Sequence, residues 1–213
     1  MNFEVNEIET RIVYNLLTGL VAPRPIGLVT SLSESGELDA APFSSYNYLC
    51  SDPPILGLGI MNKPGDGVNL KQTRRNIRSG GEFVVNVVTE DLAQQMNICS
   101  MEFPEGVSKL KTAEFETVAS AVVKVPRLKQ AHAALECVEY MTLEIGRGAI
   151  VLGRVVSIYV EDRFVDTTGR HVLATELHAI GRMNGLGAYV KTEGAFLTIP
   201  RIPYSEWLKG KEK

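Results

Sequence analysis

Three short polar stretches carry the donors from which a binding site could be built. "PFSSYN" sets Ser44, Ser45, Tyr46 and Asn47 in a row between two apolar runs, "IGLVTSL" and "ILGLGIM". An ordinary hairpin needs only a few polar residues at such a place. Hydroxyls, an amide and the backbone around Pro42 suit a planar heteroaromatic ring that carries both donors and acceptors. Equally, such side chains can satisfy their own backbone at a hairpin end. "KQTRRN", Lys71 to Asn76, brings three cations and Thr73 around one helical turn. That set can neutralise a phosphate dianion, or can simply be a solvated basic face. "APRPIG" holds Arg24 between two prolines, which restrict the backbone at the start of a strand. A guanidinium placed so rigidly suits a bound anion, although structural turns also use a proline on each side. Taken together, the three clusters describe a phosphorylated, planar ligand at the rim of a barrel.

The elements that must position them are mostly strands. Pro25–Leu32, Ile55–Met61 and Glu82–Val88 are apolar runs bounded by turn residues, each expected to be a buried strand. "LECVEYMTLEI" and "GAIVLGRVVSIYVED" (Gly148–Asp162) form a long hairpin across "GRG". Strict alternation puts Leu135, Cys137, Glu139, Met141, Leu143 and Ile145 on one face. Glu139 is the exception there, so it is partnered, displaced by a bulge or at an interface, and a bulge is favoured. "NLKQTRRNIRSGG" reads as a helix with Asn69 as N-cap and Gly80 as its stop. Thr89 caps a second helix in which Leu92, Met96 and Cys99 share a face. "NKPGDG" is a loop, the stretch from "SMEFPEG" to "KQAHA" is irregular, "ELHAIGRMNGLGAYVKTEGAF" is loop-like, and the tail "KGKEK" is frayed. Short strands with two or three inserted helices indicate a mainly β protein, a closed or nearly closed antiparallel barrel, in one domain spanning 1–213.

Much chemistry is missing. There is no GxSxG elbow, no GxxxxGK[ST] and no GxGxxG opening a helix after a strand, so neither a hydrolase serine nor a Rossmann-bound dinucleotide has support. The three histidines, His132, His171 and His178, lack metal spacing, and Cys50, Cys99 and Cys137 form no CxxC. Neither a metal site nor a disulfide framework is expected, and a reducing cytoplasm is the simplest home. A formal charge of -3 gives no reason to expect nucleic acid. No apolar run is long enough to span a membrane, and the first residues have no signal-peptide layout.

"APRPIGLVTSLSESGELDAAPFSSYNYLCSDPPILGLGI" resembles the signature of the flavin reductase-like proteins with the FMN-binding split-barrel fold, a Greek-key antiparallel barrel, with the flavoredoxin branch the closest fit. The similarity continues through "KQTRRNIRSGGEFVVNVVTEDLAQQMN", "ALECVEYMTLEIG" and "GRVVSIYVED" to "HAIGRMNG", covering roughly residues 17 to 196. The resemblance implies that Arg24, Thr30 and Ser31 lie near the flavin. It also implies that Ser44, Ser45, Tyr46 and Asn47 run along the isoalloxazine and ribityl chain. Lys71 and Thr73 would approach the FMN phosphate, and Arg182 with Asn184 would close over the cofactor. Tyr46, Asn47 or Arg182 would serve the flavin N1 and C2 carbonyl. Gln72 replaces the family's usual aspartate, and Ser45 and Tyr46 stand where bulkier aromatics are frequent. The implied activity is hydride transfer from NADH or NADPH to FMN in a homodimer with flavin near the subunit interface. No catalytic acid or nucleophile on the protein is required. Two other readings stand beside it: an electron carrier served by a redox protein partner, and a non-enzymatic flavin- or ligand-binding module.

Overall fold

A computed structural model describes residues 1–63, 69–104 and 106–192, together with Leu197, Ile199, Pro203 and Tyr204. Residues 64–67 of the expected loop, the tail 209–213 and the last stretch of the resemblance, 193–196, lie outside the described residues. The strands are β1 (Arg24–Pro25), β2 (Gly27–Leu32), β3 (Leu38–Phe43), β4 (Tyr46–Ser51), β5 (Pro54–Met61), β6 (Glu82–Val87), β7 (Thr117–Val118), β8 (Arg127–Leu128), β9 (Ala133–Ile145), β10 (Gly148–Val160), β11 (Ile180–Arg182) and β12 (Tyr189–Lys191). The helices are α1 (Thr10–Leu20), α2 (Gln72–Gly80), α3 (Ala93–Cys99), α4 (Lys109–Thr112) and α5 (Ala174–Leu177).

Seven strands form one antiparallel sheet in the order β3-β2-β6-β9-β10-β5-β4. Its two edge strands, β3 and β4, are consecutive in the chain but do not pair, so the barrel is split between them. The fold is the mainly β antiparallel barrel that the apolar runs imply, in the split form that the resemblance implies. Its interior is filled by inward residues of β2, β5, β6, β9 and β10, among them Val29, Leu58, Phe83, Val85, Cys137 and Val151. Ile77 of α2 closes one end. Phe83 is fully buried, and its ring occupies the space that a side chain at residue 153 would need. A Cβ on Gly153 would lie 2.3 Å from Phe83 Cζ. Truncating Phe83 to alanine would cost about 3–5 kcal/mol by the usual cavity penalty. Outside the barrel, Leu92, Met96 and Cys99 pack with Leu110 of α4 over Leu28 and Ala40, as the helical spacing predicts.

Four local expectations change. Helix α2 starts at Gln72 with Lys71 as its cap residue, because Asn69 turns away and its carbonyl accepts from Lys63 N at 2.8 Å. It ends against Gly81, whose φ of 69° suits the left-handed cap that glycine adopts without strain. Thr89 does not cap α3; a 3-10 turn, Glu90–Leu92, intervenes, and the Thr89 hydroxyl bonds the Asp91 carboxylate. Helix α1 was not foreseen, and the late glycine-rich stretch contributes β11 and β12, which join β1 in a separate three-stranded sheet.

The most consequential change is in β9. Glu139 pairs with Gly153, but Met141 pairs with Leu152, leaving Tyr140 as a bulge. One extra residue reverses the side-chain alternation beyond it. The six residues expected on one face therefore divide. Cys137 and Glu139 stay on the inner side, while Met141, Leu143 and Ile145 turn out and are 48%, 44% and 55% exposed. Thr142 and Glu144 take the inner side instead, and Glu144 reaches the Arg74 guanidinium of α2.

Candidate functional site

The polar run on β4 is split by the pleat of its own strand. Tyr46 points into the barrel and packs against its core. Burial, and then the neighbouring Cys137, push its phenol up to about 12. Ser45 and Asn47 lie on the outer face, and Ser44 sits at the turn before the strand. Because successive strand side chains alternate, the four side chains do not share one face. Opposite Ser45 and Asn47 are Gly59 and Gly57 of β5, and the space a side chain there would need is taken by Ser45, whose Cβ lies 2.9 Å from a Cβ placed on Gly59, and by Leu49, whose Cδ1 lies 2.7 Å from one placed on Gly57. Asn47 Oδ1 accepts from Tyr48 N at 2.9 Å, and Ser45 O accepts from Gly59 N at 2.6 Å. Among the described residues, neither the Ser44 nor the Ser45 hydroxyl has a hydrogen-bond partner. A hairpin end that merely satisfied its own backbone would have used them.

Strand β1 lies against β4 and carries Arg24. The Arg24 Nη1 donates to Thr18 O at 2.6 Å and Val21 O at 2.9 Å, capping the C-terminal end of α1, and to Met183 O at 3.3 Å. Its neighbour across β11 is Arg182, and the next residue across, on β12, is Tyr189. Residues directly opposite in an antiparallel ladder share a face, so the three side chains form one row. The Arg182 guanidinium lies 4.7 Å from the Tyr189 ring centroid and bonds the Tyr189 hydroxyl. Its Nε donates to Asn184 O at 3.1 Å, and Asn184 Oδ1 accepts from Leu186 N at 2.9 Å. The row and its turn thus adjoin the Ser44–Asn47 segment. Sequence reading missed Tyr189; alternation in "AYVK" opposite "AIGR" was the available signal.

The remaining candidates stand elsewhere. Thr30 and Ser31 are fully buried. Thr30 Oγ1 donates to Pro126 O at 2.9 Å on the outer face, and Ser31 Oγ accepts from Asn76 Nδ2 at 3.0 Å under α2. Both hydroxyls are occupied by the fold. Thr73, also buried, donates to Asp39 Oδ2 at 3.4 Å, and Lys109 pairs with Asp39 at 2.9 Å. Lys71 is exposed at the start of α2, where no side chain caps the helix. Gly27, beside the Tyr46 ring, and Ser31, beside Asn76, are four strand residues apart on β2. At about 3.3 Å per residue, the Tyr46 and α2 ends are separated by roughly 13 Å along that strand.

A wide cleft of about 670 Å³ holds none of these residues. It is lined by Glu90, Asp91, His132 and Phe164 among others. His132 lies 3.0 Å from both Asp91 Oδ2 and Glu161 Oε1, a structural tie between loops. His171 lies 3.2 Å from the Asp166 carboxylate. All three cysteines are free.

Residues 20–175 match the flavin reductase like domain. The chain belongs to the flavin reductase-like family. It is similar to nitrilotriacetate monooxygenase component B from Bacillus cereus, with 30% identity, a TM-score of 0.86, and coverage of 93% of this chain and 98% of that one. It is also similar to 2-nitrobenzoate 2-nitroreductase NbaA of Pseudomonas fluorescens, with 31% identity, a TM-score of 0.84, and coverage of 96% and 100%. The flavoredoxin of Desulfovibrio vulgaris (Miyazaki F) shares the fold at 16% identity, with a TM-score of 0.74 over 93% of this chain and 97% of that one. This is a flavin-binding family of oxidoreductase folds. No helix among the described residues is long and apolar enough to cross a membrane.

Proposed function

We propose that the chain binds FMN at the junction of β4 with the β1–β11–β12 sheet and passes a hydride from NADH or NADPH to it. The observation that carries this reading is the pair of unengaged hydroxyls, Ser44 and Ser45, beside the Gly57–Gly59 strip that Ser45 and Leu49 cover. Donors without protein partners at the edge of a core are ready for a planar ligand with its own acceptors. Ser44, Ser45 and the Asn47 amide would hold the ring, and the late turn carrying Arg182 and Asn184 would border it, with Arg24 fixing that turn through Met183 O. Lys71 and the free N–H groups at the start of α2 would take the phosphate. Thr73 would contribute its backbone, since its hydroxyl serves Asp39.

Bound flavin supplies the redox chemistry; the chain's residues bind, orient and keep water away. Tyr46, neutral and packed beneath the strip, would give that floor its rigidity. The same proposal sets a second copy of the chain on the outer face of β9, where Met141, Leu143 and Ile145 are exposed and where the rows of Ser45 and Asn47 arrive after crossing β5 and β10.

The test is direct. Purified protein should be yellow or should take up FMN with a thermal shift, and should oxidise NADH or NADPH with added FMN. Bound flavin without turnover on either nucleotide would assign it to electron carriage between proteins. Absence of any FMN binding would defeat the proposal.

A further inference from the structure

The Arg24–Arg182–Tyr189 row has an electrostatic peculiarity. Like charges placed directly across a strand pair repel, and proteins usually relieve this with a carboxylate. Here Arg24 faces Arg182, and among the described residues no carboxylate pairs with either. Their protein partners are neutral: peptide carbonyls for Arg24, a carbonyl and a phenol for Arg182. Yet both are held in place. The α1 carbonyls fix one, and the Tyr189 ring stacks on the other. Each keeps three of its five N–H donors unspent, because Arg24 bonds through Nη1 alone and Arg182 through Nε and one Nη1 hydrogen. Both side chains are half-buried, so the free donors are partly desolvated while still open to a ligand.

We propose that this row recognises an oxyanion, a phosphate or carboxylate group, on the second substrate as it approaches the flavin. The proposal rests on the reading of the site as an FMN-dependent one, and it adds the chemical class of what comes after the flavin. Two planar forks on one face bind an oxyanion bidentately, and Arg182 is pre-organised by its stacking. The two sources of such a group are the diphosphate of a nicotinamide nucleotide and the carboxylate of an aromatic acceptor.

Isothermal titration of the full-length protein with inorganic pyrophosphate, and separately with benzoate, reads the row with or without flavin present. Wild-type protein should bind at least one of the two, and Arg182→Ala should weaken that binding about tenfold or more. Arg182→Lys should recover only part of it, since an ammonium lacks the fork. Pyrophosphate alone points to the hydride donor, and benzoate alone to the acceptor. Where pyrophosphate binds, Arg182→Ala should raise KM for the anionic donor about tenfold in turnover yet leave KM for the uncharged reduced nicotinamide riboside unchanged. Where benzoate alone binds, the variant should raise KM for a carboxylated aromatic acceptor instead. Equal loss for charged and uncharged donors overturns the proposal. So does a variant that loses FMN while riboflavin binding survives, because the row would then serve the flavin phosphate. A variant that changes its sedimentation as an oligomer would assign the row to the subunit contact and overturn it too. Failure of the wild type to bind FMN would defeat the flavin reading while the anion titration still stands.

Discussion

The molecule has two basic regions, and they are built on opposite terms. Around α2, the buried cations are answered by charge: Arg74 meets Glu144 and the Asn62 amide, and Lys109 meets Asp39 beside Thr73, while the exposed Arg75 bonds only Leu70 O and the Gln72 amide. At the small sheet, Arg24 and Arg182 meet only neutral groups. The difference teaches how to sort cations by purpose. A buried cation with a carboxylate partner is part of the fold, and its loss shows in stability. An accessible cation held in position without a counter-charge is set for something that arrives from outside.

The sharpest break of that contrast would come at Arg74, whose side chain is only 4% exposed. Arg74→Ala should lower unfolding free energy by about 3 kcal/mol, read from urea denaturation, since it strands Asn62 and opens a void under α2. A loss below about 0.5 kcal/mol would place Arg74 with the ligand-directed cations.

Acid provides a second cut. Glu136 is buried; burial pushes its pKa up, but N–H groups of Ala121, Val122 and Val123, with the Ser157 hydroxyl, outweigh it and hold the carboxyl below its ordinary value of 4.5. A depressed folded-state pKa adds stability above the unfolded value, and that stability is lost as pH falls through the folded one. Thus wild-type stability should fall as the medium is acidified below the ordinary Glu range. Glu136→Gln, weaker by about 2 kcal/mol at neutral pH, should show a flatter acid limb. Identical acid limbs would mean that Glu136 does not carry the effect.

At α2, Lys71→Ala should weaken FMN about tenfold, one charge-assisted contact, and leave riboflavin unchanged. Equal losses would remove Lys71 from the phosphate end. Thr73→Ala, by contrast, should show its main effect in thermal stability, because its hydroxyl belongs to Asp39. The smallest change is expected for Arg182→Ala, within about 0.5 kcal/mol by chemical denaturation, as befits a group whose value lies in binding.

The strand plan was readable because buried strands leave bounded apolar runs, and those runs survive any detail of pairing. Placement of the hydroxyls was not. Thr30, Ser31 and Thr73 carry the same chemistry as Ser44 and Ser45, and only register and burial reveal which are consumed. Tyr46 was grouped with its neighbours although strand alternation alone separates it from Ser45 and Asn47. The bulge at Tyr140 was favoured from the misfit of Glu139, but its effect on Met141 and Leu143 needed the register. The Arg24–Arg182–Tyr189 row joins distant segments, so no local window contains it. Helix α1 is not legible as a core element because it buries none of its residues.

That last property has a thermodynamic consequence. Helix α1 has a clear apolar stripe, yet none of its residues is buried, and Tyr14, Leu17 and Leu20 are 55%, 55% and 80% exposed. An isolated helix of about this length is marginal in water. Should the proposed second copy also cover this stripe, the helix's persistence would depend on protein concentration by mass action. Since Arg24 is anchored to the carbonyls at its end, dilution would be felt first as fraying of α1 and then as loosening of the guanidinium row.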